Sequence, residues 1–403
     1  MRGVTNDEQA VLERAAGAPM LDQVQRWAAI NSGSRNLDGL SSMAAILAEE
    51  FDSLPGELAL RDPAPVDAMQ SDGSLKAVEH GRNLHLVVRP DAPVQLLFTG
   101  HMDTVFAADH PFQSLKWLED GVLNGPGVAD MKGGIAVMLA ALKAVETAPE
   151  AQGLGYEVVL NSDEEVGSPG SAPLIAEAAR GKKAALTYEP AALPDGTLAG
   201  ARPGSGNFSI FIQGRSAHAG RNPEDGRNAV VAAADLTLRL AKAKGPRLSV
   251  NPARIDGGGP NNVVPDHAVL RVNMRPFTPE DELRAKAQLD AAVAMVAAEH
   301  DVTIHVHGGF GRPPKPLDAK AEALFGLVQR CGADLGQAIQ WQASGGVCDG
   351  NNIAACGVPV VDTMGVRGGA IHSADEYLIV DSLVERAQLS ALTILRLASG
   401  VNL

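Results

Sequence analysis

Aromatic side chains are scarce, at 4% of the chain, and basic residues are outnumbered, leaving a formal net charge of −14. There is no basic stripe and no interleaving of aromatic with basic residues, so no nucleic acid and no anionic membrane is expected as a partner. Cysteine is nearly absent. Cys331, Cys348 and Cys356 are odd in number and match no zinc or redox spacing, so free thiols in a reducing compartment are expected. No window approaches the ~20 apolar residues of a spanning helix. The stretch from Met1 to Leu21 is polar and charged and lacks the apolar core of a signal peptide, so a cytoplasmic location is expected.

What is present is a long chain of 403 residues with 45% hydrophobic residues, dominated by Ala, Gly, Val and Leu. That length predicts one large and one smaller core, and small apolar residues suit close helix–sheet packing. Strands are predicted at Leu84–Val88, Val94–Thr99, Tyr156–Leu160 and Ala184–Tyr188. Helices are predicted at Met20–Ile30, Leu40–Leu54, Met131–Glu146 and Ala172–Ala179. The alternation predicts an α/β fold, a mostly parallel sheet with helices on both faces. Residues 201–310 change character. Their order of strand, helix, strand, strand, helix, strand is the split βαβ pattern of an α+β, ferredoxin-like unit. Gly- and Pro-rich segments flank it at 201–206 and 308–314 and read as hinges. The α/β pattern then resumes, with helices predicted at Ala319–Cys331 and Asp375–Leu397 and a strand at Val358–Val361. The expected organisation is a large domain over 1–200 and 311–403 with 201–310 inserted into it.

Metal-ligand residue types recur where strands end. Val94–Thr99 runs into His101 and Asp103, Tyr156–Leu160 into Glu164 and Glu165, and Ala184–Tyr188 into Glu189. Asp130 directly precedes the Met131 helix, and His372 lies in a late loop. In open α/β sheets ligands gather outside the carboxyl ends of the strands, so these residues are expected to share one crevice. Two imidazoles and three carboxylates (His101, Asp130, Glu165, Glu189, His372) suit Zn²⁺. Two divalent ions sharing one bridging carboxylate would relieve the repulsion among the acids. Glu164 is then left to take a proton from metal-activated water, and Asp103 to hold the His101 ring by its other N–H. Each piece has an ordinary alternative: a loop at 100–104, a solvated pair at Glu164 and Glu165, a capping or core role for His372. The other histidines lack such partners and read as surface or packing residues.

At these residues the chain resembles the M20 family of metallopeptidases, on the side of glutamate carboxypeptidases of the carboxypeptidase G2 type, then of succinyl-diaminopimelate desuccinylases and acetylornithine deacetylases. The motifs are Gly100-His101-Met102-Asp103-Thr104-Val105, the segment Gly127 to Gly134 around Asp130, Asp163 to Ser168, Tyr188-Glu189-Pro190, Ser216-Ala217-His218-Ala219-Gly220 and His372 to Tyr377. The resemblance implies a di-zinc amide hydrolase, with two Zn²⁺ per chain replaceable by Co²⁺ or Mn²⁺. Asp130 would bridge, His101 and Glu189 would complete one site, and Glu165 and His372 the other. Glu164 would be the general base and acid, and the bond after Asp130 would be cis. The inserted unit resembles the family's lid and dimerisation domain and implies a homodimer. His218 matches a lid histidine that stabilises the oxyanion of a neighbouring site. Asn262 matches a lid asparagine with a substrate role, and Arg275 the arginine that grips a substrate carboxylate; read alone, Arg275 is a surface salt bridge.

One departure concerns the Gly-rich loop Ser344 to Asn351. Relatives commonly place a hydroxyl residue where Val347 and Cys348 stand, which bears on the substrate and not on the metal chemistry. Backbone N–H groups of Gly345 and Gly346 can still meet a carboxylate, and packing is the expected role of Cys348. The expected substrate is a small peptide-like or N-acyl amino acid, cut at an amide next to a free carboxylate. The alternatives are a deacylase of N-acyl amino acids, with the same metals and base, and a non-catalytic scaffold, from which loss of ligands would be expected.

Overall fold

The structure is a computed structural model that describes residues 3–401, so the expected large domain reaches two residues beyond it at each end. Its central sheet has six strands in the order Glu57–Arg61, Asn83–Val88, Leu154–Asn161, Val94–His101, Ala184–Thr187, Val360–Val361. The first two pairings are antiparallel and the other three parallel, so Asn83–Val88 alone runs against the rest. The sheet is therefore mixed, with a parallel centre. Val94–His101 shows why the centre is parallel. Its last six residues are all buried, because helices cover both faces, and such strands are apolar without alternation.

The helix Gly133–Val145 is buried at every residue except Lys143. A helix that is apolar all round belongs inside a layer and not on its surface. It is enclosed by the first helix, Asn6–Ala16, by Met20–Ala28, and by the last helix, Asp381–Ala398. Arg396 on that last helix is ion-paired with Glu8 on the first, at 3.2 Å, and with Asp334, at 2.7 Å. The chain thus closes on its own beginning. Among the described residues no helix is long and apolar enough to cross a membrane.

The segment from Ser205 to Arg312 forms a second sheet, antiparallel throughout, in the order Leu248–Gly257, His267–Pro276, Ser205–Gln213, Thr303–Arg312. Phe208, Ile210 and Ile212 alternate inward from its central strand. They meet Leu236 of helix Ala229–Lys242 and Leu289 of helix Pro279–His300 in a separate apolar core. The split βαβ order is present as the pattern predicts.

Two expectations need correction. The helix expected over Asp375–Leu397 begins at Asp381, because Tyr377–Ile379 is a strand paired antiparallel with Val122–Asn124. Its aromatic and β-branched residues fit a pleated surface, and the pairing holds the His372 loop beside the Asp130 segment. The strand expected over Val358–Val361 is paired only at Val360–Val361.

The two Gly/Pro-rich linkers run side by side. Backbone bonds join Arg202 and Lys315 in both directions, at 2.9 and 3.0 Å. Both side chains converge on buried Asp362, with Arg202 Nε at 2.8 Å and Lys315 Nζ at 2.9 Å. Burial alone would raise the Asp362 carboxyl; the two cations outweigh it and hold it at about 2. Removing one member of a buried ion cluster strands the others at a cost of about 3–5 kcal/mol. Asp362→Asn is therefore expected to lower the urea midpoint strongly at pH 7. Because the folded carboxyl is depressed, its contribution is full above the unfolded value near 4 and disappears as pH falls through about 2. The gap between wild type and variant should close over that window; a constant gap refutes the assignment.

Candidate metal centre

Three adjacent parallel strands deliver the first donors. Val94–His101 ends on His101, Leu154–Asn161 leads into a short turn at Glu164–Val166, and Ala184–Thr187 leads to Glu189. Asp130 enters from a distorted turn, Val128–Lys132, ahead of the central helix, and the Asp130–Met131 bond is cis. The carboxylate of Glu376 holds that turn by accepting the N–H groups of Gly127, Ala129 and Asp130, at 3.0–3.2 Å. Burial pushes Glu376 up to about 7.

The five expected ligands converge. His101 Nε2 lies 3.1 Å from Asp130 Oδ1 and 3.6 Å from Glu189 Oε2. His372 Nε2 lies 3.3 Å from Asp130 Oδ2 and 3.1 Å from Glu165 Oε2. The two oxygens of Asp130 thus face two different imidazoles, each with its own second carboxylate. Donor atoms of His101, Asp130 and Glu165 lie within 4.8 Å of one another, as do those of His101, Glu164 and Glu189. These triads omit His372 and include Glu164. The contacts of the two Asp130 oxygens separate two imidazole–carboxylate pairs, an arrangement that a carboxylate shared by two cations would need.

The electrostatics of this donor set would suit divalent cations. Burial raises Glu165 and pushes Glu189 up to about 7. Glu164 is also driven well up by burial, against the pull of Arg312. Burial works against charge on His101, but Glu189 with Asp103 and Asp130 holds the imidazole well above its usual range. Bonds to Asp130 and Glu165 hold His372 at about 11. Against burial, the two imidazoles hold Asp130 low, whereas the three glutamates are pushed toward keeping protons, and Glu189 Oε1 is buried without a hydrogen-bond partner. Two divalent ions would replace those protons and supply that partner.

Asp103 meets the His101 ring through its backbone oxygen and not through the carboxylate expected. His101 Nδ1 is nearer the Asp103 backbone oxygen, at 3.0 Å, than its carboxylate, at 3.4 Å. The carboxylate accepts the N–H groups of Glu164 and Glu165 and the Ser34 hydroxyl, and so fixes the loop that carries both glutamates.

The residues expected from the inserted unit are placed differently. His218 is exposed, and its Nδ1 accepts the N–H groups of Gly220 and Arg221. Asn262, also exposed, accepts the Ala219 N–H through its backbone oxygen. Among the described residues no hydrogen bond or ion pair joins either side chain to the five donors. Arg275 Nη1 donates to Gly345 O at 3.2 Å, and Gly346 O accepts from Arg202 at 3.2 Å, so the Gly-rich loop is held by an arginine from each side. Cys348 is buried, and burial raises its thiol well above the usual value, in line with a packing role.

Several buried neighbours of these donors escaped the sequence. Arg202 and Arg312 are both buried, though they stand in segments that read as hinges. Asp349 accepts from Asn161 at 2.8 Å and also bonds Ser168, bracing the Glu164 loop. Four of the other histidines have acidic neighbours while still lying at the surface or in the packing. His80 lies buried 3.6 Å from Asp163, His85 is paired with Glu157, His267 with Asp266 and His300 with Asp235. No periodicity in the sequence marks such cross-strand and loop pairings.

The profile of peptidase family M20/M25/M40 matches residues 97–396. Carboxypeptidase G2 of Pseudomonas sp. (strain RS-16) is 33% identical over 320 residues, covering 76% of this chain and 74% of the relative. Succinyl-diaminopimelate desuccinylase of Psychrobacter arcticus is 29% identical over 320 residues, covering 73% and 76%. A crystal structure of a dinuclear metal-binding M20 peptidase from Bacillus subtilis superposes with a TM-score of 0.66 at 16% identity, over 97% of this chain and 100% of that one. At that identity the last comparison speaks for the fold.

Proposed function

Given that the chain belongs to peptidase family M20/M25/M40 and is a hydrolase, we propose that it cleaves an amide bond next to a free carboxylate, in the manner of a glutamate carboxypeptidase. The observation that carries this is Asp130, whose two oxygens each meet a separate imidazole–carboxylate pair beside Glu164. His101, Asp130 and Glu189 would hold one cation, and Asp130, Glu165 and His372 the other. Two divalent cations, Zn²⁺ first with Co²⁺ or Mn²⁺ as substitutes, would supply Lewis acidity and an acidified water. Glu164 takes the proton from the attacking water and returns it to the leaving nitrogen. Asp103 keeps Glu164 in reach by gripping its backbone N–H.

In this reading 1–200 and 311–403 form the catalytic domain, and 201–310 forms a lid that also joins two copies. Val231 and Leu238 on helix Ala229–Lys242 are 52% and 62% exposed beside the open sheet edge Leu248–Gly257, a pairing that suits a homodimer seam. His218 would then serve the oxyanion of the second copy's site, where one such donor lowers a barrier by about 3–4 kcal/mol. Arg275 and the N–H groups of Gly345 and Gly346 would receive the substrate carboxylate, and Asn262 would contact substrate from the lid. A cytoplasmic site of action accords with Cys331, Cys348 and Cys356 all being unpaired.

The deacylase reading has support from the desuccinylase relative. A panel of acyl-glutamates, peptidyl-amino acids and N-acetyl amino acids, assayed with zinc supplied, separates the two. Release of glutamate from acyl-glutamates at the highest kcat/KM is expected, and preferential release of acetate would favour the deacylase. The scaffold reading finds no lost ligand to support it.

A further inference from the structure

One buried cation beside the site has no part in the mechanism above. Arg312 is the last residue of strand Thr303–Arg312, where the inserted unit hands the chain back to the central body. It is 7% exposed. Its Nη2 stands 2.7 Å from Glu164 Oε1, donates to the Glu164 backbone oxygen at 2.9 Å and to Ser168 Oγ at 3.0 Å, and lies 3.5 Å from Asp349 Oδ1. Nη1 points to Val347 O at 3.5 Å. One guanidinium therefore touches the carboxylate of the proposed base, the backbone that carries it, the loop that follows it and the Gly-rich substrate loop.

A rigid planar fork can serve several acceptors at fixed angles, a task that a lysine ammonium at the same place meets only in part. A buried carboxylate among other acids needs such a partner to keep one orientation. Both Nη nitrogens of this fork are turned toward the protein's own acceptors, while its Nε is buried without a hydrogen-bond partner among the described residues. We propose that Arg312 is a positioning residue for the reaction: it sets the Glu164 carboxylate and links the base loop to the last strand of the inserted unit. The inference rests on the proposed role of Glu164.

The test uses the full-length, metal-loaded chain with Arg312→Met and Arg312→Lys. A positioning residue predicts that Arg312→Met lowers kcat by about 100-fold, the scale of an ångström-sized misplacement, with KM and metal content little changed. Arg312→Lys should recover a measurable part of kcat. A risen KM at unchanged kcat overturns the proposal in favour of substrate binding, and so does a Lys variant no better than Met. A second readout needs no substrate. In urea unfolding of the metal-free protein, Arg312→Met, Glu164→Gln and the double variant should shift the midpoint non-additively; additive shifts overturn the pairing. A wild-type chain inactive on the whole panel would sink the functional reading, while this coupling still decides whether Arg312 holds Glu164.

Discussion

Glu164→Gln is expected to lower kcat by about 10²–10⁴-fold, the full range of positioned proton transfer, while leaving two metal ions per chain. The amide matches the carboxylate in shape but cannot accept the proton of the attacking water. The proposed ligands His101, Asp130, Glu165, Glu189 and His372 are untouched by the change. Their positions should survive, because Asp103 holds the loop through backbone N–H groups that glutamine retains. The substitution also removes the charge opposite Arg312, so a modest fall in thermal midpoint is expected alongside. Metal analysis and steady-state kinetics on the same preparation check the prediction. A variant that keeps full turnover removes Glu164 from the mechanism.

Asp130→Ala should be more severe, because it deletes the one carboxylate with an oxygen toward each imidazole. Metal content is expected to fall from two ions to one or none, with activity below detection. The loss has a readout apart from turnover. Zinc at about 1,000 times its Kd stabilises a wild-type fold by about 4 kcal/mol, so adding zinc to metal-free wild type should raise the melting temperature. The variant should show little of that rise. The ligands must shed protons to bind, so the zinc-dependent rise should also weaken as pH is lowered. Equal zinc-induced shifts in wild type and Asp130→Ala would refute the bridging role.

The parts of this site legible in the sequence are those that sheet topology organises. His101, Glu165 and Glu189 follow short apolar runs, and once those runs are read as parallel strands their ends must meet at one edge. Asp130 could be placed from the helix it precedes. His372 came through the motif it shares with a family, since nothing local marks it. The supporting residues were hidden for a common reason. Arg202 and Arg312 sit in Gly/Pro-rich linkers, where an arginine ordinarily faces water, and only the crossing of the two linkers buries them. Glu376 lies within the motif His372 to Tyr377, yet nothing in the sequence marks the three backbone N–H groups that converge on it. The first helix could have been found, because Thr5 and Glu8 form a capping box at its start.

The closure of the chain on its own beginning carries a consequence for biosynthesis. The central helix ends at Val145, yet the helix that covers it begins at Asp381. At roughly 5–20 residues per second, its oily flank waits on the order of ten to fifty seconds on the ribosome. The inserted unit, with its core complete between Phe208 and Val302, can settle well before then. The large domain therefore completes its packing only near the end of the described chain, and His372 emerges only shortly before the helix that covers this flank.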